Sequence, residues 1–98
     1  MIVAFSVAPS GTGDSVAAAV ADAVRVVRAS GLPHRTSSMF TEIEGEWDAC
    51  MDVVRAACEA VGRHGERVSL VLKADIRPGR TGELQGKLDR LEAALRDG

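Results

Sequence analysis

The chain has 98 residues, a length that supports one domain, residues 1–98, around a single core without disulfide or metal staples. Hydrophobic residues make up 46% and charged residues 27%, which excludes disordered and fibrous classes. The formal net charge is -2 with arginines spread along the sequence, so no basic footprint draws a phosphate backbone and nucleic acid is not an expected partner.

The opening Met1–Ala8 stretch is apolar, but it lacks the basic region and the length of a secretion signal. No apolar run approaches the ~20 residues of a membrane span. No membrane association is therefore expected, and the expected location is cytoplasmic. Cys50 and Cys58 stand eight apart on one expected helix, roughly 12 Å along its axis. That separation is too long for a disulfide, so both read as reduced thiols packed as small hydrophobes.

Residues 2–8 alternate, with Val3, Phe5 and Val7 on one face and Ile2, Ala4, Ser6 and Ala8 on the other. Gly11-Thr12-Gly13 then forms a loop, and Asp14 or Ser15 is placed to cap a helix with Val16, Val20, Val24 and Val27 at helical spacing. Gly31 and Pro33 end that helix. From Leu32 to Gly45 the pattern predicts two short strands joined near Ser37-Ser38, with Thr41 and Ile43 opposite in face to Phe40, Glu42 and Glu44.

A second helix opens at Trp47, with Trp47, Cys50, Met51, Val54, Cys58 and Val61 as its apolar stripe. Val68 to Ile76 reads as a strand beside the first, in the middle of the sheet. Its Leu70 and Leu72 face the helices, while Val71, Lys73 and Asp75 face away. After Arg77-Pro78-Gly79-Arg80, Thr81 caps a third helix carrying Leu84, Leu88, Leu91 and Leu95. Strand-helix-strand repeated twice with right-handed crossovers predicts an α+β, ferredoxin-like βαββαβ sandwich with an additional C-terminal helix. Two helices cover one sheet face, and the other face is apolar enough to predict homo-oligomerisation through it.

The glycine loop lacks the Lys-Ser/Thr of a P-loop and the third glycine of a dinucleotide turn, so it reads as a plain turn. His34 and His64 have no metal-ligand spacing, and neither a metal nor a cofactor is expected. No serine or cysteine occupies a nucleophile pattern, so the chain is not read as an enzyme. The remaining candidate chemistry is small-molecule binding. Glu42, Glu44 and Asp75, near Ser6, Thr41 and Lys73, could hold an amine or an amidine-like heterocycle through charge-assisted hydrogen bonds. Trp47 or Phe40 could stack on a flat ring. The competing reading makes Trp47 core, pairs Lys73 with Asp75 or Glu42, and assigns Glu44–Asp48 to helix entry.

Val7-Ala8-Pro9-Ser10-Gly11-Thr12, Ser15-Val16, Ser30-Gly31-Leu32, the run Met39–Asp48, Gly65-Glu66-Arg67-Val68 and Lys73-Ala74-Asp75-Ile76-Arg77 resemble the small thiamine-binding proteins related to the YkoF domain. The similarity covers nearly the whole chain, and the Thr-x-Ile-Glu-Gly and Asp-x-Arg elements carry it. The resemblance implies a ferredoxin-like fold, homotetramers built as dimers of dimers through their sheets, and non-enzymatic binding of thiamine or its hydroxymethylpyrimidine moiety. Thr41, Glu42 and Glu44 match the first element, and Asp75 and Arg77 the second. Ser6, Ser37 and Trp47 join these as candidate ligand-binding residues from face and chemistry. The chain departs from the family pattern at His34, Phe40 and Cys58, where a tyrosine, a glycine and a histidine are common. The ring of Phe40 beside Thr41 could fill the pocket or change the ligand it accepts. The alternative to vitamin binding is a structural or regulatory homo-oligomeric interaction protein.

Overall fold

In the computed structural model, which describes residues 1–10 and 16–97, the elements run β1 (Ile2–Ser10), α1 (Val16–Ala29), β2 (His34–Thr36), β3 (Thr41–Glu44), α2 (Trp47–Gly62), β4 (Arg67–Asp75) and α3 (Glu83–Asp97). The strands form one antiparallel sheet in the order β2-β3-β1-β4. This is the expected ferredoxin-like α+β arrangement, with α3 added. The glycine loop and the cap expected at Asp14 or Ser15 lie outside the described residues.

The alternation along β1 decides where the core lies. Val3 stands opposite Ile43 and Ala74, and Phe5 opposite Thr41 and Leu72. Directly opposed residues share a face, so these positions form the face under α1 and α2. Ile43, Val3, Val27, Val61 and Cys50 are the largest fully enclosed side chains. Enclosing an aliphatic side chain of this kind contributes about 1.5–3 kcal/mol.

Several expectations are corrected. The core face of α1 is Ala19, Ala23 and Val27, while Val16 and Val20 remain exposed. Small alanines let α1 approach the sheet closely, which turns the valine stripe partly off the core. In α2 the buried set is Cys50, Val53, Val54, Ala57, Ala60 and Val61, and Trp47 stands outside it. Strand β4 pairs with β1 as expected but forms a sheet edge, because β3 occupies the other side of β1. Its helix-facing Val68, Leu70 and Leu72 are consequently incompletely covered.

The sequence pattern assigned α3 no place against the sheet. Its first turns lie against the sheet face opposite α1 and α2, where Lys87 reaches Asp75 at 2.5 Å. Thr81 does not start this helix, which begins at Glu83. The Leu88, Leu91 and Leu95 stripe faces outward, with 42%, 54% and 65% of those residues' surfaces exposed.

Candidate functional site

Pairing between β1 and β3 ends at Phe5 and Thr41, whereas pairing between β1 and β4 continues to Ser10 and Arg67. From Ser6 onward β1 therefore has a strand neighbour on one side only. Successive residues of an antiparallel strand send both backbone groups to opposite sides. One of Ser6 and Val7 thus presents its N–H and C=O to the open edge.

The β2–β3 turn walls this notch. Ser37 N–H donates to the Phe40 carbonyl at 2.9 Å, its hydroxyl donates to the same oxygen at 3.1 Å, and it accepts the Phe40 N–H at 3.2 Å. A serine closing a turn on its own backbone replaces the absent Asn-Gly signature. Opposite lies α1, with Val20, Ala23, Val24 and Val27 against a cavity of about 130 Å³. Phe5, Ser6 and Val7 of β1, Thr36, Thr41 and residues 37–40 complete it. Thr36 and Thr41 are register partners on one sheet face, and both line the cavity. Among the described residues no ionisable side chain lines the notch. Apolar walls with several hydroxyls and a strand edge suit a neutral, flat molecule bearing adjacent donor and acceptor groups.

The expected site residues divide among four places. Ser6, Ser37 and Thr41 meet at the notch. Glu42 and Asp75 lie on the other sheet face, beside a cavity of about 250 Å³ that also touches Ile2, Ala4, Lys73 and Lys87. There the Lys87 ammonium, hydrogen-bonded to Asp75, holds that carboxyl below its usual range. Across this face Arg35 opposes Glu42, and Ala4 separates Glu42 from Lys73, so charges alternate along the row. The Arg35 guanidinium also donates to the Gln85 side-chain carbonyl of α3.

Glu44 stands apart. It is 6% exposed, and its carboxylate accepts the backbone N–H groups of Glu83 and Leu84. It therefore caps α3 from the sheet face that the helix lies against, satisfying amides that have no partner within the helix. Trp47 and Arg77 meet at a fourth place, a cavity beside Met1.

Sequence reasoning missed Val20, Val24, Thr36 and Met39 as notch residues. The hydroxyl run Thr36-Ser37-Ser38 followed by Thr41 was a usable signal for the turn side. Nothing in the alanine-rich α1 pattern indicated which valines leave the core. Burial pushes the Cys50 and Cys58 thiols above their ordinary range, so neither is an activated nucleophile.

Fold and cavities together define a small ferredoxin-like α+β domain with a neutral, ligand-sized notch beside its central strand. The chain belongs to the thiamine-binding protein family, whose profile, described as "Thiamine-binding protein", matches residues 3–92. A Mycobacterium bovis relative, UPF0045 protein Mb1933, is 49% identical over 96 residues, covering 97% of this chain and 94% of its own length. Among solved structures, a hypothetical protein of Methanocaldococcus jannascii superposes with a TM-score of 0.84 at 28% identity, covering 93% of this chain and 94% of that one. A Thermotoga maritima protein named for thiamine biosynthesis/salvage has a TM-score of 0.75 at 22% identity, covering 89% of this chain and 95% of that one, and shares the fold. No described helix is long and apolar enough to cross a membrane.

Proposed function

We propose that this protein binds thiamine or its hydroxymethylpyrimidine moiety without turning it over, as a carrier, buffer or sensor. The observation that carries this reading is the hydroxyl-bearing notch at the open edge of β1, whose described lining residues are all uncharged. An aminopyrimidine offers a donor beside an acceptor, the complement of one strand residue's C=O and N–H. Ser6, Ser37 and Thr41 surround that edge, and the cavity's volume of about 130 Å³ suits one ring. The thiazolium half, a permanent cation, then projects past the turn carrying Phe40 toward solvent. Membership of the thiamine-binding family supports the same ligand. Among the described residues the hydroxyls of the notch have no ionisable neighbour lining the cavity to activate them, which favours binding over catalysis.

The test is thermal denaturation with thiamine and with hydroxymethylpyrimidine. A ligand that binds only the folded chain stabilises it by mass action, about 2.7 kcal/mol at one hundred times its dissociation constant. The stabilisation is expected to fall in Thr41→Val, which keeps shape and removes the hydroxyl, and to persist in Glu42→Gln. No shift with either compound at millimolar concentration sinks the proposal.

A second reading, a homo-oligomeric structural or regulatory protein without a vitamin ligand, draws on the outward leucine stripe of α3. That stripe, and Val71 at 57% exposure on the part of the sheet face that α3 leaves uncovered, favour contact between copies, and the homotetramer is what the family resemblance implies. Assembly and ligand binding are compatible, since the notch lies on the other face.

A further inference from the structure

We infer that the cavity between Trp47 and the Arg77–Arg80 turn is a second ligand site, suited to a phosphoryl group carried on a flat ring. The assignment is independent of the notch reading. The cavity, about 170 Å³, is lined by Met1, Glu46, Trp47, Ile76 and residues 77–80. Arg77, Arg80 and the chain's first residue line it beside a single lining carboxylate residue, Glu46, so basic groups outnumber acidic ones in the lining of a chain of net charge -2.

These cations are incompletely neutralised. Among the described residues Arg77 forms no ion pair. Arg80 lies 3.7 Å from Glu83, whose carboxylate is held more closely by Arg90 at 2.5 Å. The Met1 ammonium donates to the Gly45 carbonyl at 2.8 Å, which fixes it at the cavity rim and leaves its charge in place. The backbone that carries the arginines is fixed. Pro78 and Gly79, the latter at φ 79°, form a turn closed by the Arg80 N–H on the Arg77 carbonyl at 3.1 Å.

Paired guanidinium forks match a phosphoryl dianion in both charge and geometry. A carboxylate brings one negative charge to the two arginines, a phosphoryl dianion two. Trp47 supplies the second element of recognition: its residue is 56% exposed, and the core contains no place for it. An indole held at the mouth of a cationic cavity is a stacking surface for a ring. The site lies at the Met1 end of β1, about 17 Å along the strand from Ser6 at ~3.4 Å per residue, so one aminopyrimidine does not reach both.

Trp47 is the only tryptophan, so tryptophan fluorescence comes from a residue that lines this cavity. Phenyl phosphate, benzoate and inorganic phosphate are titrated into the full chain at constant ionic strength. Saturable change with phenyl phosphate is expected, weaker change with inorganic phosphate, and weaker still with benzoate. Arg77→Gln, checked for folding by circular dichroism, is expected to weaken phenyl phosphate binding about ten- to hundredfold, the effect of losing a charge-assisted hydrogen bond. If Arg77→Gln does not fold, Arg80→Gln takes its place with the same expectation. No saturable change by about 10 mM phenyl phosphate, where a millimolar site is filled, overturns the site. Undiminished binding in the folded variant also overturns it, and benzoate binding as tightly as phenyl phosphate overturns the phosphoryl assignment.

Discussion

The Glu44 carboxylate accepts the Glu83 N–H at 2.9 Å and the Leu84 N–H at 3.2 Å, joining the end of β3 to the start of α3. A glutamate in a strand, unfavourable by propensity, is thereby explained by a helix 39 residues away. Glu44→Ala leaves two first-turn amides without this acceptor, and the Glu83 amide bond is buried. The expected cost is about 1–3 kcal/mol. Glu44→Gln keeps one acceptor oxygen and is expected to cost less. Hydrogen exchange at Glu83 and Leu84 is the specific readout: faster exchange there, with the β1 amides unchanged, marks local release of α3. Equal acceleration throughout the chain contradicts the capping role.

Acid should loosen the same helix. The hydrogen bond from Lys87 lowers the Asp75 carboxyl, and the hydrogen bond from Arg90 lowers that of Glu83. A carboxyl with a depressed folded-state value stabilises the fold above its unfolded value, near ~4, and loses that contribution as pH falls through the folded value. The Asp75–Lys87 link between β4 and α3 is therefore intact at neutral pH and weakens below about 4, as does the Glu83–Arg90 pair within the helix. Lys87→Met is expected to flatten this acid dependence, read as α3 helicity or exchange against pH. Because the Asp75 pair is partly exposed, added salt should flatten it too.

Ile43 is the largest fully enclosed side chain, with no exposed surface, between Val3 on β1 and the helices. Ile43→Ala removes its buried atoms and leaves a cavity, at an expected cost of about 2–5 kcal/mol. Ile43→Val is expected to cost about 0.5–1.5 kcal/mol. Urea denaturation measures both. A cost below the valine range for the alanine variant would mean that the sheet and helices collapse onto the space.

The outward leucines give a test of assembly. Leu91→Glu places a charge on a residue that is 54% exposed within the chain, so the isolated fold should change by about 0.5 kcal/mol or less. If α3 mediates contact between copies, the same change lowers the apparent mass on a sizing column. An unaltered elution volume removes α3 from the interface.

Much of the fold could be read from local pattern. Period-two alternation identified β1 and β4, helical spacing and Gly31 bounded α1, and the order of elements implied the ferredoxin-like sheet. These features depend on residues close together in the chain. The face of Glu42 and Glu44, opposite to that of Thr41, followed from the same alternation and agrees with the register. The grouping of site residues did not follow, because each cavity joins segments far apart in sequence: Ser37 meets Val20, and Arg77 meets Trp47.

The stretch Thr41–Trp47 shows where the division falls. By itself the sequence determined a short strand, a break at Gly45, a helix start at Trp47 and the alternation that separates Thr41 from its two glutamates. Tertiary structure alone decided that Thr41 reaches the notch, that Glu42 joins a charged row, that Glu44 caps α3 and that Trp47 stands outside the core. Alternation sets which side of a strand a residue takes. What occupies that side depends on where β1 outlasts β3, how closely alanine-rich α1 approaches, and on which face α3 returns.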